Sequence, residues 1–120
     1  VSSGMWSDSR QIVNRSISEA KQYREFYDDD IPIKMLNERI SSFYQVYTLY
    51  SFVRPFGCAM IFGGLDRKGP QLYKVGPSGV SYGFYACAAG KAERAAKTLL
   101  EQLDLSNMDA EDAVIEAAKM

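Results

Sequence analysis

Apolar positions in the first fifty residues recur at helical spacing, and those of residues 56–88 do not. From Met5 to Tyr27, Val13, Ile17, Ala20 and Tyr27 fall on one stripe with Ile12, Tyr23 and Phe26 beside it. Arg10, Arg15, Lys21, Arg24 and Glu25 take the other face, and no proline or interior glycine interrupts the run. The spacing predicts an amphipathic helix over 5–27. Asp28-Asp29-Asp30 ends it, because three like charges repel and sit badly at the negative end of a helix. They read as a solvated turn, with a metal site as the sharper alternative. Ile31-Pro32 opens a second helix over 32–51, proline being suited to a first turn whose N–H has no partner. Leu36, Ile40, Phe43, Tyr44, Tyr47 and Tyr50 form its stripe and call for a wide apolar neighbour. Base stacking on these rings would want interleaved basic residues, and only Lys34 and Arg39 are near.

After Arg54-Pro55 the period changes. Residues 56–65 are apolar at nearly every position, the pattern of a central strand covered on both faces. Asp66 to Pro70 is turn chemistry, residues 71–75 a second strand, Gly76-Pro77-Ser78-Gly79 another turn and residues 80–88 a third strand. Two hairpins make an antiparallel meander. Gly90 then leads into a helix over 91–103 with Ala92, Ala95, Ala96, Leu99, Leu100 and Leu103 at helical spacing, and a last helix covers 109–120. Three strands make a small sheet whose outer strand and second face want company. The expectation is that further chain, beyond both ends of these 120 residues, supplies it; a partner subunit is the alternative.

Composition removes several classes of function. With 47% hydrophobic and 24% charged residues the chain is an ordinary globular domain, not a disordered one. Fourteen basic against fifteen acidic residues give a net charge of -1, which offers no field to nucleic acid or an anionic membrane. No apolar run approaches the roughly 18 residues of a membrane span, and Val1-Ser2-Ser3-Gly4 is unlike a signal peptide. A cytosolic or nuclear protein is the reading. The absence of histidine leaves no Ser-His-Asp or Cys-His site within this chain. Cys58 and Cys87 lie in apolar runs and read as small buried hydrophobes, and two cysteines alone do not make a zinc site.

More specific are Ser51-Phe52-Val53-Arg54-Pro55-Phe56-Gly57-Cys58, Gly69-Pro70-Gln71-Leu72-Tyr73, Pro77-Ser78-Gly79-Val80-Ser81-Tyr82-Gly83, and Ala89-Gly90-Lys91-Ala92 before Ala95-Ala96-Lys97-Thr98. Together these resemble the alpha-type subunits of the eukaryotic 20S proteasome over nearly the whole chain, and among the seven types they are most similar to the third. Arg54, Pro55, Phe56, Gly57, Gly69, Pro70, Pro77, Ser78, Gly79 and Gly90 are the signature positions, with a structural role. One departure is Gly76, where the family usually has an aspartate; turn geometry should survive, since glycine tolerates the angles, but any aspartate cap is lost.

The resemblance implies an α+β fold of the N-terminal-nucleophile hydrolase type, a four-layer αββα sandwich. Of this, the chain supplies the middle of one partial domain: two helices, three antiparallel strands and two helices. It implies a non-catalytic subunit of the outer ring, packed against neighbouring alpha and beta-ring subunits, gating a chamber for degradation of ubiquitin-tagged proteins. Regulatory particles would dock on the outer face. No catalytic, cofactor or metal residue is expected, nor nucleic acid or membrane partners. The exposed residues of Met5 to Ser51 are the expected contact with the beta ring. The enzymatic alternative is a beta-type threonine peptidase, which needs an N-terminal threonine. This chain starts with Val1, and Thr48 and Thr98 fall inside predicted helices, where the nitrogen is a backbone amide and no base. Ser78 reads as turn chemistry, and Lys91, Glu93 and Lys97 as a solvated helix face. A third reading is a small free-standing domain that dimerises through an edge strand.

Overall fold

The computed structural model describes residues 1–120. In order the chain forms β1 (Ser2–Gly4), α1 (Trp6–Tyr27), α2 (Ile33–Leu49), β2 (Cys58–Asp66), β3 (Gly69–Val75), β4 (Ser81–Gly83), α3 (Glu93–Leu100) and α4 (Ala110–Lys119). The four strands make one antiparallel sheet in the order β1-β2-β3-β4. The meander is as expected, but β1 was not foreseen. Three residues are too few to show a period, and what makes them a strand is remote: Ser2 pairs with Met60, Ser3 with Ala59 and Gly4 with Cys58. The Val1 amine and carbonyl add a reciprocal pair of bonds to Ile61, at 2.9 and 2.8 Å.

Boundaries of the other elements differ from expectation for local reasons. The second helix stops at Leu49 rather than residue 51, because Tyr50 takes extended angles toward Arg54-Pro55. The first meander strand begins at Cys58, so Phe56 and Gly57 lie in the loop, while the second takes in Gly69 and Pro70. The third strand, expected over 80–88, is only Ser81–Gly83. It is the sheet's edge, pairing Gly83 with Tyr73, Tyr82 with Lys74 and Ser81 with Val75. Beyond Phe84 the chain leaves it. The last two helices are also shorter than 91–103 and 109–120, and neither has a buried residue.

Helices α1 and α2, joined by a short turn, pack on one face of the sheet. Asp28 closes α1 in the left-handed region, φ 50°, its N–H donating to Arg24 O at 2.9 Å. The core is Ile12, Ile40, Tyr44, Phe56, Cys58, Met60 and Val75, with Leu36, Phe43, Tyr47 and Phe62 packed around it. The α2 stripe is therefore as expected, apart from Tyr50, which is exposed. The α1 stripe is not. Val13, Ile17 and Tyr27 face outward, and the buried positions are Asp8, Ser9, Ile12, Ser16 and Glu19. Two of these are serines, short enough for close approach, and the Ser16 hydroxyl donates back to Ile12 O at 2.8 Å. Glu19 is tolerated because Arg15 and Arg39 both pair with it.

Within these 120 residues the central strand is covered on one face and only in part on the other, where Ala59 and Ile61 are half-buried. Cys58 and Met60 are 2% exposed against the helices, whereas Leu65 on the opposite face is 80% exposed. The helices cover only one side. Ile61, Leu72, Lys74 and Tyr82 share the second face through the pairing register.

Candidate functional site

The signature residues resolve into joints between elements rather than a pocket. Arg54, in the loop that leaves α2, donates to both Asp8 oxygens, at 2.7 and 3.0 Å, and to Pro55 O at 3.1 Å. Gly57 N–H donates to Asp8 Oδ2 at 2.9 Å. Met5 N–H, just before α1, donates to Gly57 O at 2.8 Å. Between them Phe56 is buried against Phe43, Tyr44 and Tyr47, with ring centroids 5.6, 5.2 and 4.4 Å away. The Arg54 hydrogen bonds, the Gly57 N–H and then the Arg54 charge hold the Asp8 carboxyl below its usual value, against the opposing effect of burial. Sequence reasoning missed Asp8. An acid in the first turn of a helix is ordinarily a dipole partner, and nothing local ties it to an arginine 46 residues away.

Pro77, Ser78 and Gly79 form a second joint. Gly79 N–H donates to Gly76 O at 3.0 Å and Gly76 N–H to Val80 O at 3.1 Å. Gly79 has φ +81°, and a Cβ there would lie 2.9 Å from both Gln45 N and Ser41 O of α2. The Ser41 hydroxyl donates to Gly79 O. Ser78 is exposed, its oxygen 3.4 Å from Val80 N. Gly76 keeps the turn without an aspartate, with nothing within 4 Å of a Cβ. Nearby, Asn37 Nδ2 donates to Ser81 Oγ at 3.0 Å, a link across 44 residues that the sequence did not suggest.

Gly69 and Pro70 begin β3 beyond a tight turn. Asp66 accepts the Lys68 N–H at 2.8 Å, and Gly69 has φ +102°. Arg67 of this turn reaches Asp29 of the α1–α2 turn at 2.6 Å, and Asp30 pairs with Arg24. The aspartate run is thus divided between separate ion pairs. Gly90, φ +135°, lies against Ser3 of β1.

Two clefts lie elsewhere. One of about 920 Å³ separates the α1–α2 turn from the β2–β3 turn, beside Tyr23, Tyr73 and Arg67. Another of about 470 Å³ lies between residues 83–88 and α3, beside Lys74, Cys87 and Glu93. Burial pushes the Cys87 thiol above its usual value, which disfavours the nucleophilic thiolate. The Thr48 and Thr98 hydroxyls donate to Gln45 O and Arg94 O of their own helices, at 2.6 and 3.1 Å. What the molecule presents instead is apolar surface: Ile17 and Phe26 on α1, Leu49 at the end of α2 with Tyr50 and Phe52 beyond it, and Leu65 and Tyr82 on the sheet. No helix is long and apolar enough to cross a membrane.

A chain built from joints and apolar faces matches the proteasome subunit family over residues 1–120, and it belongs to that family. Within it the likeness is to alpha-type subunits, type three foremost. "Proteasome subunit alpha type-3" of Acanthamoeba castellanii is 54% identical over 98% of this chain and 47% of the relative. The protein of that name from Arabidopsis thaliana is 50% identical over the same shares. The "Probable proteasome subunit alpha type-7" of Saccharomyces cerevisiae, 41% identical over 100% of the chain and 43% of its own length, is more distant. The chain spans somewhat less than half the length of these relatives.

Proposed function

We propose that this chain is the middle of a non-catalytic structural subunit of the outer alpha ring of the 20S proteasome. Identity of about half across nearly every residue with proteins named alpha type-3 carries the reading. Its work is then done by surfaces. It packs against neighbouring alpha subunits, stacks on the beta ring through exposed parts of α1 and α2, and helps gate access to a chamber that degrades ubiquitin-tagged proteins. Regulatory particles dock on the outer face, in cytoplasm and nucleus.

The fold that goes with this function is the four-layer αββα sandwich, with residues 1–120 as part of one domain. The half-open sheet supports it: Leu65 and Tyr82 are 80% and 65% exposed on a face that a second sheet would cover. The signature joints at Arg54–Gly57, Gly69-Pro70, Pro77–Gly79 and Gly90 act by holding the layers in register. A threonine peptidase is disfavoured because the relatives that match nearly the whole chain at about half identity are named alpha-type subunits.

The test is to purify the endogenous complex through an affinity tag on this protein. Co-purification of a complete set of alpha and beta subunits, with a mature N-terminus that is not threonine, is the expected result. A mature chain beginning with threonine would make it a catalytic beta-type subunit. A free dimer without other subunits would make it an independent interaction domain.

A further inference from the structure

The chain after β4 crosses the sheet face opposite α1 and α2. Phe84 N–H still bonds Leu72 O at 2.9 Å, at one edge of the sheet. Ala86–Ala89 are half-buried, and Gly90 arrives at the other edge, where a Cβ would lie 3.0 Å from Ser3 Oγ. Ser3 pairs with Ala59, which alternates with the helix-facing Cys58 and Met60 and so belongs to the opposite face. The crossing is fastened midway. Lys74, set in register between Ile61 and Tyr82, donates from Nζ to Ala88 O at 2.9 Å and to the Glu93 carboxylate.

Beyond Glu93 nothing comparable holds the arm that carries α3 and α4. Its hydrogen bonds and ion pairs run among residues 92–120, and neither helix buries a residue. Leu100, Leu103 and Leu105 line the 470 Å³ cleft together with Phe84 and Ala86. We infer that Lys74 and Glu93 form a clasp that sets where this arm lies against the sheet.

The two partners are not equivalent. Lys74 is 18% exposed, so its ammonium has given up most of its water and depends on Glu93 and Ala88 O. Glu93 is 44% exposed, and water replaces its partner if Lys74 is lost. A charge-assisted bond is stronger than a neutral one, and here it joins segments 19 residues apart. Loss of Glu93 therefore strands a charge, whereas exchange of Lys74 for a linear apolar side chain only releases the arm.

Three variants of the full-length chain test the clasp: Glu93→Ala, Lys74→Met and the double variant, each followed by thermal melting and amide hydrogen exchange. Glu93→Ala is expected to lower the melting temperature and to speed exchange over residues 86–100 roughly tenfold, with β2 unchanged. Lys74→Met is expected to speed exchange over the same residues while melting near the parent. The double variant is expected to melt like Lys74→Met, recovering what Glu93→Ala loses. Parental exchange over 86–100 in both single variants would overturn the clasp. So would a double variant as unstable as Glu93→Ala, since Glu93 would then act without Lys74. Faster exchange spread equally over β2 and β3 would also overturn it, because the pair would then stabilise the sheet as a whole.

Discussion

Arg54 grips both carboxylate oxygens of Asp8, at 2.7 and 3.0 Å, and so ties the start of α1 to the loop that leaves α2. The grip is one-sided in exposure, with Asp8 buried and Arg54 largely in water. A third bond, Gly57 N–H to the same carboxylate, adds to the Arg54 pair and uses a backbone donor that the loop would otherwise leave idle.

Asp8→Asn should lower the melting temperature by on the order of 5 °C, because the amide cannot accept from Arg54 and Gly57 with a full charge. Arg54→Lys should recover little, since an ammonium cannot hold both oxygens of one carboxylate as a guanidinium does. A thermal melt of both variants checks this. Melting of Asp8→Asn at the parental temperature would show that the joint is held by the backbone alone.

The same carboxylate sets an acid limit. Its folded value lies below the ordinary 3.8, so its contribution is fully present above that value and is lost as pH falls through the lower folded one. Acid unfolding followed by circular dichroism should show a stability decline below pH 3.8 that is shallower in Asp8→Asn. Identical slopes would exclude Asp8 as the titrating group.

Tyr44 is wholly buried, with its hydroxyl 3.2 Å from Cys58 Sγ. Burial first, then the bond to Cys58, pushes the phenol above its ordinary value. Tyr44→Phe keeps the ring against Phe56 and should cost about 1 kcal/mol, whereas Tyr44→Ala leaves a cavity and should cost about 3–5 kcal/mol. Urea unfolding separates the two. Equal costs would mean that the hydroxyl contact, not the ring, is what matters.

Gly79 and Gly76 stand in one turn and should respond oppositely. Gly79→Ala meets both a left-handed φ of +81° and the α2 backbone at 2.9 Å, and should cost on the order of 3 kcal/mol. Gly76→Asp has open space and should be neutral or slightly stabilising, with the carboxylate able to accept a turn N–H. Denaturant midpoints decide it, and a tolerated Gly79→Ala would mean that the turn can move off α2.

Ile61 lies on the sheet face opposite the helices, paired with Lys74. Under the proposed function, Ile61→Asp in the full-length subunit should block incorporation into the ring, because a second carboxylate would enter the layer beneath a second sheet and compete with Glu93 for the Lys74 ammonium. Native-gel analysis of the tagged variant tests this. Normal incorporation would show that the residue stays near solvent.

Much of the architecture was legible along the chain. The 22-residue α1 and the aromatic α2 follow from a sustained helical period free of breakers, and the meander follows from two turns carrying glycine and proline between apolar runs. The burial of α1 was not legible, because a helical stripe of Val13 and Ile17 looks like a core face while the true one contains Ser9, Ser16 and Glu19. Apolar count is a poor guide where close approach selects small side chains and arginines neutralise an acid.

The signature residues were found as a pattern, but their partners were not: Asp8 for Arg54, Ser41 for Gly79, Ser3 for Gly90. By itself the sequence determined the helices α1 and α2, the strands β2 and β3 and the turns that join them, since those depend on residues a few positions apart. The tertiary structure alone decided that Ser2–Gly4 is a strand, that Asp8 is a buried anchor and that Lys74 meets Glu93. Each depends on groups separated by 19 to 60 positions, which no local period records.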